Sequence, residues 1–145
     1  MYNKLLDDLK ISMKSKDTQR VSTLRMLLSS IKNEQIAYHS DEVSDDLFFN
    51  VLSKSIKEIN ESIDIYKKSN HIDKALKEEN ELLILKSFLP LQISQEELEG
   101  IVKEKISKID NFSQKDIGKV INEISSEYKN MVDSQRIYLE IKKFL

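Results

Sequence analysis

Residues 44–69 read SDDLFFNVLSKSIKEINESIDIYKKS, and the order of apolar and polar side chains in this stretch decides the fold class. Phe48, Val51, Leu52, Ile56, Ile59, Ile63 and Tyr66 recur at steps of three and four, which places them along one side of a helix of about five turns. Ser44 supplies a hydroxyl cap, and Asp45 and Asp46 put carboxylates at the positive end of the helix dipole. Lys67 and Lys68 place cations at the opposite end. A strand would alternate with period two, and this segment does not.

The same period extends outward. Toward the N-terminus, Leu5, Leu6, Leu9 and Met13 predict a helix over about 3–14, followed by a polar break in which Asp17 can cap the next. Val21, Leu24, Leu28 and Ile31 carry a second helix to about Tyr38, with Met26 and Leu27 widening its stripe. Toward the C-terminus, a fourth helix is predicted over 72–88 with Leu76, Leu83 and Phe88 inward. Pro90 marks a joint, because it disfavours helix at Leu89. Ser94 with Glu97 forms an S-x-x-E capping box, and Ser113 with Asp116 a second of the same kind. They open a fifth helix, with Leu98, Ile101, Val102, Ile106 and Ile109, and a sixth, with Ile117, Val120, Ile121 and Ile124. Asp133 or Ser134 caps a seventh, with Ile137, Tyr138, Ile141 and Leu145 inward.

The expected fold is therefore all-α. An N-terminal helical lobe over 1–89, built on one long helix, is followed by a three-helix tail lobe over 90–145. With two Gly and one Pro in 145 residues, neither a β-sandwich nor a Gly-rich nucleotide loop can be written. The absence of Cys removes disulfides, thiolate metal sites and Cys nucleophiles. His39 and His71 have no metal-binding spacing, so no metal, cofactor or catalytic residue is nominated. Net charge is −2, and the two lobes carry 14 basic with 15 acidic and 9 basic with 10 acidic groups. Neither lobe binds nucleic acid by bulk charge, DNA is not expected, and an RNA contact needs a local patch. No apolar run is long enough to cross a bilayer, and the first residues lack a secretory signal, so a cytoplasmic protein without membrane contact is expected. Abundant Lys, Asn and Ile beside scarce Gly suggest an AT-rich genome.

FLPLQISQEELEGIV (88–102) and SQKDIGKVI (113–121) resemble the joint and following helix of the GatB/YqeY family. TLRMLLSSIKNEQI (23–36) and LSKSIKEINESIDIYKKS (52–69) agree in the same order. The resemblance implies a free-standing YqeY-like protein. Its tail lobe would be similar to the tail domain of GatB, a subunit of the tRNA-dependent amidotransferase, whose family label is carbon–nitrogen ligase with glutamine as amido-N-donor. That tail touches tRNA while catalysis sits elsewhere. The implied partners are therefore tRNA, amidotransferase subunits or another protein, without catalysis by this chain alone. Two departures stand out. Asn70-His71 replaces a Gly-Arg pair, and KNMVDS (129–134) replaces a K-G-R-A-D-G-like loop.

Within the tail lobe, Lys115, Lys119, Lys129 and Arg136 are the candidate phosphate-facing residues. Lys115 and Lys119 are four apart and share a helical face; a solvated helix surface is the simpler account of them, and no aromatic residue interleaves them for base stacking. Gly118 is read as a site of close helix packing, or of close approach by RNA. Asp73, Glu78, Glu79 and Glu81 read as a solvated acidic face. Arg25, Lys32, Lys54 and Lys57 are expected to pair with nearby carboxylates. An adaptor that binds protein through an apolar groove between the lobes is the alternative function.

Overall fold

The computed structural model describes residues 1–145. It contains α1 (Tyr2–Lys14), α2 (Thr18–Ala37), α3 (Asp45–Lys68), α4 (Ile72–Lys86), α5 (Gln95–Ser107), a 3-10 turn (Gln114–Asp116), α6 (Ile117–Glu127) and α7 (Ser134–Lys142), with no strand. The chain divides into two compact units, Met1–Phe88 and Leu89–Leu145.

In the first unit α3 lies along α4, and α2 packs on α1, α3 and α4. Leu5, Leu24, Leu27, Ile31, Phe48, Leu52, Leu85 and Phe88 are buried at its centre. Phe88, just past α4, meets the edge of Phe48 at 6.1 Å between ring centres, which fixes the last turn of the unit to the start of α3. In the second unit α5, α6 and α7 pack on one another around Leu98, Val102, Val120, Ile124, Ile137 and Ile141. Ile93 and Val132 complete that core from the joint and from the α6–α7 loop.

Helix starts follow the capping residues. Asp17, Ser44, Ser94 and Asp133 each accept a hydrogen bond from the backbone N–H three residues on. The two predicted boxes close by opposite halves. At Ser94 the hydroxyl accepts from the Glu97 amide at 3.2 Å. At Ser113 the amide donates to the Asp116 carboxylate at 3.0 Å, while the Asp116 amide is taken by the Ser113 carbonyl.

Helix ends use an unexpected device. Lys16, His39 and Asn70 have φ of 60°, 50° and 61°, the left-handed region that favours glycine. Each sits just past a helix, and the amides around it return to the last turn: Asp17 to the Ser12 carbonyl, Ser40 to Gln35 and His71 to Tyr66. These are Schellman closures built without glycine.

Several side chains expected inside are not. On α4, Leu76 and Leu83 are 55% and 68% exposed, whereas Ala75 and Leu85 are buried. Neighbouring helical residues point about 100° apart, and α4 turns small Ala75 inward, so Leu76 swings out. Near the end of α1 Ser12 is buried and Met13 exposed; Met26, Tyr138 and Leu145 are exposed as well. Gly118 is not a packing glycine, since a Cβ there, or at Gly100, would meet nothing within 4 Å. The ion pairs expected of Arg25, Lys32, Lys54 and Lys57 are not formed; the first unit instead pairs Arg20 with Asp8 and Lys67 with Glu79.

Candidate nucleic-acid interface

The second unit holds all four candidate cations. Lys115 lies in the 3-10 turn and Lys119 in the first turn of α6, and both are exposed. They lie four residues apart across the junction of the 3-10 turn and α6, and neither makes an ion pair. They stand at the positive end of the α6 dipole, which favours an anion there. Asp116 lies between them and partly offsets that field, although one of its oxygens is engaged by the Ser113 amide.

Lys129 and Arg136 belong to the other end of α6. Lys129 is exposed just past the helix, and Arg136 is half-buried in the first turn of α7. Lys119 stands in the first turn of α6 and Lys129 just past its last residue, Glu127, so the length of α6 separates Lys115 and Lys119 from Lys129. Arg136 is also committed to the protein: its Nη2 donates to the Ile93 carbonyl at 2.9 Å.

That bond belongs to a set which sequence reasoning missed. The Ile93 amide donates to the Met131 carbonyl at 2.9 Å. Gln92 Nε2 donates to the carbonyls of Pro90 at 2.8 Å and Asn130 at 2.9 Å. The joint is thereby held to the α6–α7 loop, and both backbone polar groups of buried Ile93 are satisfied by residues from 131–136. One signal was available in the sequence. Asn130 has φ 63° and stands where the family pattern has a glycine; Asn70 does the same after α3. Asn is among the few residues that adopt this conformation readily. Measured against the pattern these segments resemble, Asn70 and Asn130 adopt the conformation that favours glycine, while His71 and Met131 stand where that pattern has arginine.

Nearby, Glu140 is 4% exposed on α7. Its carboxylate accepts from Gln95 Nε2 at 2.8 Å and Lys143 Nζ at 2.9 Å, which ties α7 to the start of α5. The hydrogen bond to Glu140 holds the Lys143 ammonium above its usual value.

The first unit offers a depression of about 480 Å³ between α2 and α3, lined among others by Asn33, Glu34, Tyr38, Asn50, Lys54 and Glu58. No imidazole or thiol lines it. On α4 the Glu81 carboxyl is raised above its ordinary value, by burial first and then by the negative charge of Glu78. No group of three or more His, Cys, Asp or Glu side chains is arranged to hold a metal ion. No helix is long and apolar enough to cross a membrane.

The sequence model of the Yqey-like protein family matches residues 2–145. Three yeast proteins named "Altered inheritance of mitochondria protein 41, mitochondrial" are similar to the chain. That of Vanderwaltozyma polyspora is 32% identical over 133 residues, which cover 86% of this chain and 72% of the relative. That of Kluyveromyces lactis is 32% identical over 108 residues, 72% of this chain and 58% of the relative. That of Lachancea thermotolerans is 36% identical over 85 residues, 59% of this chain and 46% of the relative. The chain thus spans about half the length of the last two. These names correct the expectation of a cytoplasmic protein, because the relatives are designated mitochondrial. That expectation rested on two absences, a secretory signal and a spanning helix, and neither bears on a mitochondrial address.

Proposed function

The chain belongs to the YqeY-like protein family, and from that premise we propose that it is a noncatalytic helical module that binds tRNA through its second unit, in association with tRNA-dependent amidotransferase chemistry. The observation that carries this reading is the pair Lys115 and Lys119, exposed at the start of α6 and without an ion-pair partner. Two exposed cations four residues apart at the positive end of a helix suit successive contacts along a phosphate backbone. The resemblance of 88–102 and 113–121 to the GatB tail and its joint supports the choice of tRNA among RNAs. With no Gly-rich phosphate loop and no Cys nucleophile in the sequence, the amide chemistry belongs to other subunits.

Fluorescence anisotropy with whole tRNA across a salt series tests the reading. Micromolar affinity is expected, falling linearly on a log–log plot against salt. A Lys115→Gln/Lys119→Gln protein should bind more weakly, with a slope smaller by about two. No binding at low salt by the wild-type chain would overturn the proposal.

One observation favours a second reading, a protein–protein adaptor. Ile72, Leu76 and Leu83 form an exposed apolar stripe along α4, and lone exposed residues are ordinary whereas a stripe marks a contact surface. Recovery of a protein partner after nuclease treatment, abolished by Leu76→Glu/Leu83→Glu, is the result this reading requires.

A further inference from the structure

We infer that the joint, Pro90–Ile93, is a latch that sets the conformation of the 129–134 loop, and that Arg136 is a positioning residue in this latch rather than a phosphate contact. The inference deepens the tRNA-binding reading and, for its effect on RNA, rests on it.

The latch is built by three independent bonds from one short segment. Gln92 spends both N–H groups of its amide on carbonyls, one before it in the joint and one in the loop, at Asn130. Ile93 is 3% exposed within the second unit's core, so its amide and carbonyl are out of reach of water. The Met131 carbonyl accepts from the first, and Arg136 donates to the second. Leaving either group unpaired would carry the desolvation penalty of a buried polar group, so the loop and the joint are ordered together. Asn130, at φ 63°, turns the chain so that the carbonyls of residues 130 and 131 both face the joint.

The covalent path gives the latch its meaning. The chain leaves α4 at Lys86 and enters the second unit through this segment. A pull on the joint acts first on the Ile93 hydrogen bonds and through them on the loop that carries Lys129. Arg136 cannot swing out to a phosphate with Nη2 and still satisfy the Ile93 carbonyl. Its charge remains near the loop, while its position serves the fold.

Hydrogen exchange of the full-length protein tests the latch without RNA. In Gln92→Ala, exchange at Ile93 and Met131, the hydrogen-bonded amides of the joint and the loop, is expected to speed up about five- to tenfold, the effect of losing roughly one net hydrogen bond. Amides of α5 and α6 at Leu98, Val102 and Ile124 should remain the slowest to exchange, which separates unlatching from unfolding. Unchanged exchange in the loop would overturn the latch. Anisotropy with whole tRNA tests its consequence. Gln92→Ala, which alters no charge, should weaken binding as much as Arg136→Ala, with the salt slope of both variants unchanged and no further loss in the double variant. A slope reduced by about one in Arg136→Ala, with Gln92→Ala binding like wild type, would make Arg136 a phosphate contact and overturn the assignment. Absence of tRNA binding by the wild type would end the RNA role of the loop together with the tRNA reading, and the exchange result would decide the latch by itself.

Discussion

Asp8 on α1 meets Arg20 on α2 in a two-pronged ion pair. Arg20 Nε donates to Oδ1 at 2.8 Å, Nη2 donates to Oδ2, and Ser12 Oγ adds a third bond at 3.2 Å. Both charged side chains are less than a third exposed, so the pair is worth more than an ordinary surface bridge. The Arg20 hydrogen bond, against the opposing effect of burial, holds the Asp8 carboxyl below its usual value of 3.8. A depressed carboxyl stabilises the fold above the unfolded value and loses that contribution as pH falls through the folded one. Asp8→Asn is therefore expected to cost about 1–2 kcal/mol at pH 7, with the gap from wild type closing below pH 4. Urea denaturation at pH 7 and pH 3 measures it, and an equal gap at both would refute the assignment. This pair also explains why Ser12 lies inside where Met13 was expected, because the hydroxyl is needed by the carboxylate. Nothing in the one-dimensional pattern announces a bond between residues twelve apart on different helices. The left-handed positions were no easier to read, since the usual signal is glycine and the chain has Lys16, His39 and Asn70 there. Left-handed backbone is costly for side chains other than Gly and, to a lesser degree, Asn. Lys16→Gly and His39→Gly are each expected to raise stability by about 0.5–1 kcal/mol, and Asn70→Gly by less. Thermal melts that fall rather than rise in the first two would show that those side chains hold contacts outweighing the backbone.

At the scale of the element, all seven helices were legible because spacing and caps agreed. Ser44, Ser94, Asp17 and Asp133 marked starts that the hydrogen bonds bear out. The faces were less legible. A stripe chosen one residue away turns a helix by about 100°, and α4 offers Ala75-Leu76 and Leu82-Leu83-Ile84-Leu85 as competing sets. Hydrophobicity favours Leu76; the close run of α4 along α3 favours the smaller Ala75, which is 1% exposed. Stability should follow the structure. Leu83→Gln is expected to change it by less than about 0.5 kcal/mol, whereas Leu85→Ala should cost about 2–5 kcal/mol. Equal losses from the two variants would place α4 in the rotation that hydropathy alone suggests. Gly100 in α5 is the second case. With open space around its missing Cβ and an ordinary helical φ, Gly100→Ala should stabilise by about 1 kcal/mol. Gly118→Ala should gain less, because it lies in the first turn of α6. If the alanine at 118 stabilises the fold yet weakens tRNA binding, the glycine is kept for the approach of RNA.

At the scale of the whole molecule, the candidate interface was legible only as residue types. Charge pattern singled out Lys115, Lys119, Lys129 and Arg136, but the bond that engages Arg136 depends on the joint returning to the α6–α7 loop, a contact 43 residues apart in sequence. Each unit has its own buried centre, and that of the second consists of eight buried residues drawn from the joint, three helices and a loop. A unit of this size buries only about 60% of the surface its unfolded chain exposes, and no disulfide supplements it. Residues 89–145 made alone are therefore expected to fold cooperatively but with low stability, a few kcal/mol at most. The joint belongs inside that fragment, because Ile93 fills its core and Gln92 binds its loop. A fragment starting at Ser94 loses Ile93 and both backbone partners of residues 131 and 136, and it should give a collapsed amide spectrum where the 89–145 fragment gives a dispersed one. Equal dispersion in both would show that the joint is peripheral to the unit. The longer fragment also retains Lys115, Lys119 and the latched 129–134 loop, so it should bind tRNA with the full chain's affinity and salt slope. A clear loss of affinity in a folded 89–145 fragment would move part of the RNA contact to the first unit, where Arg25, Lys32, Lys54 and Lys57 carry charge that no carboxylate neutralises by pairing.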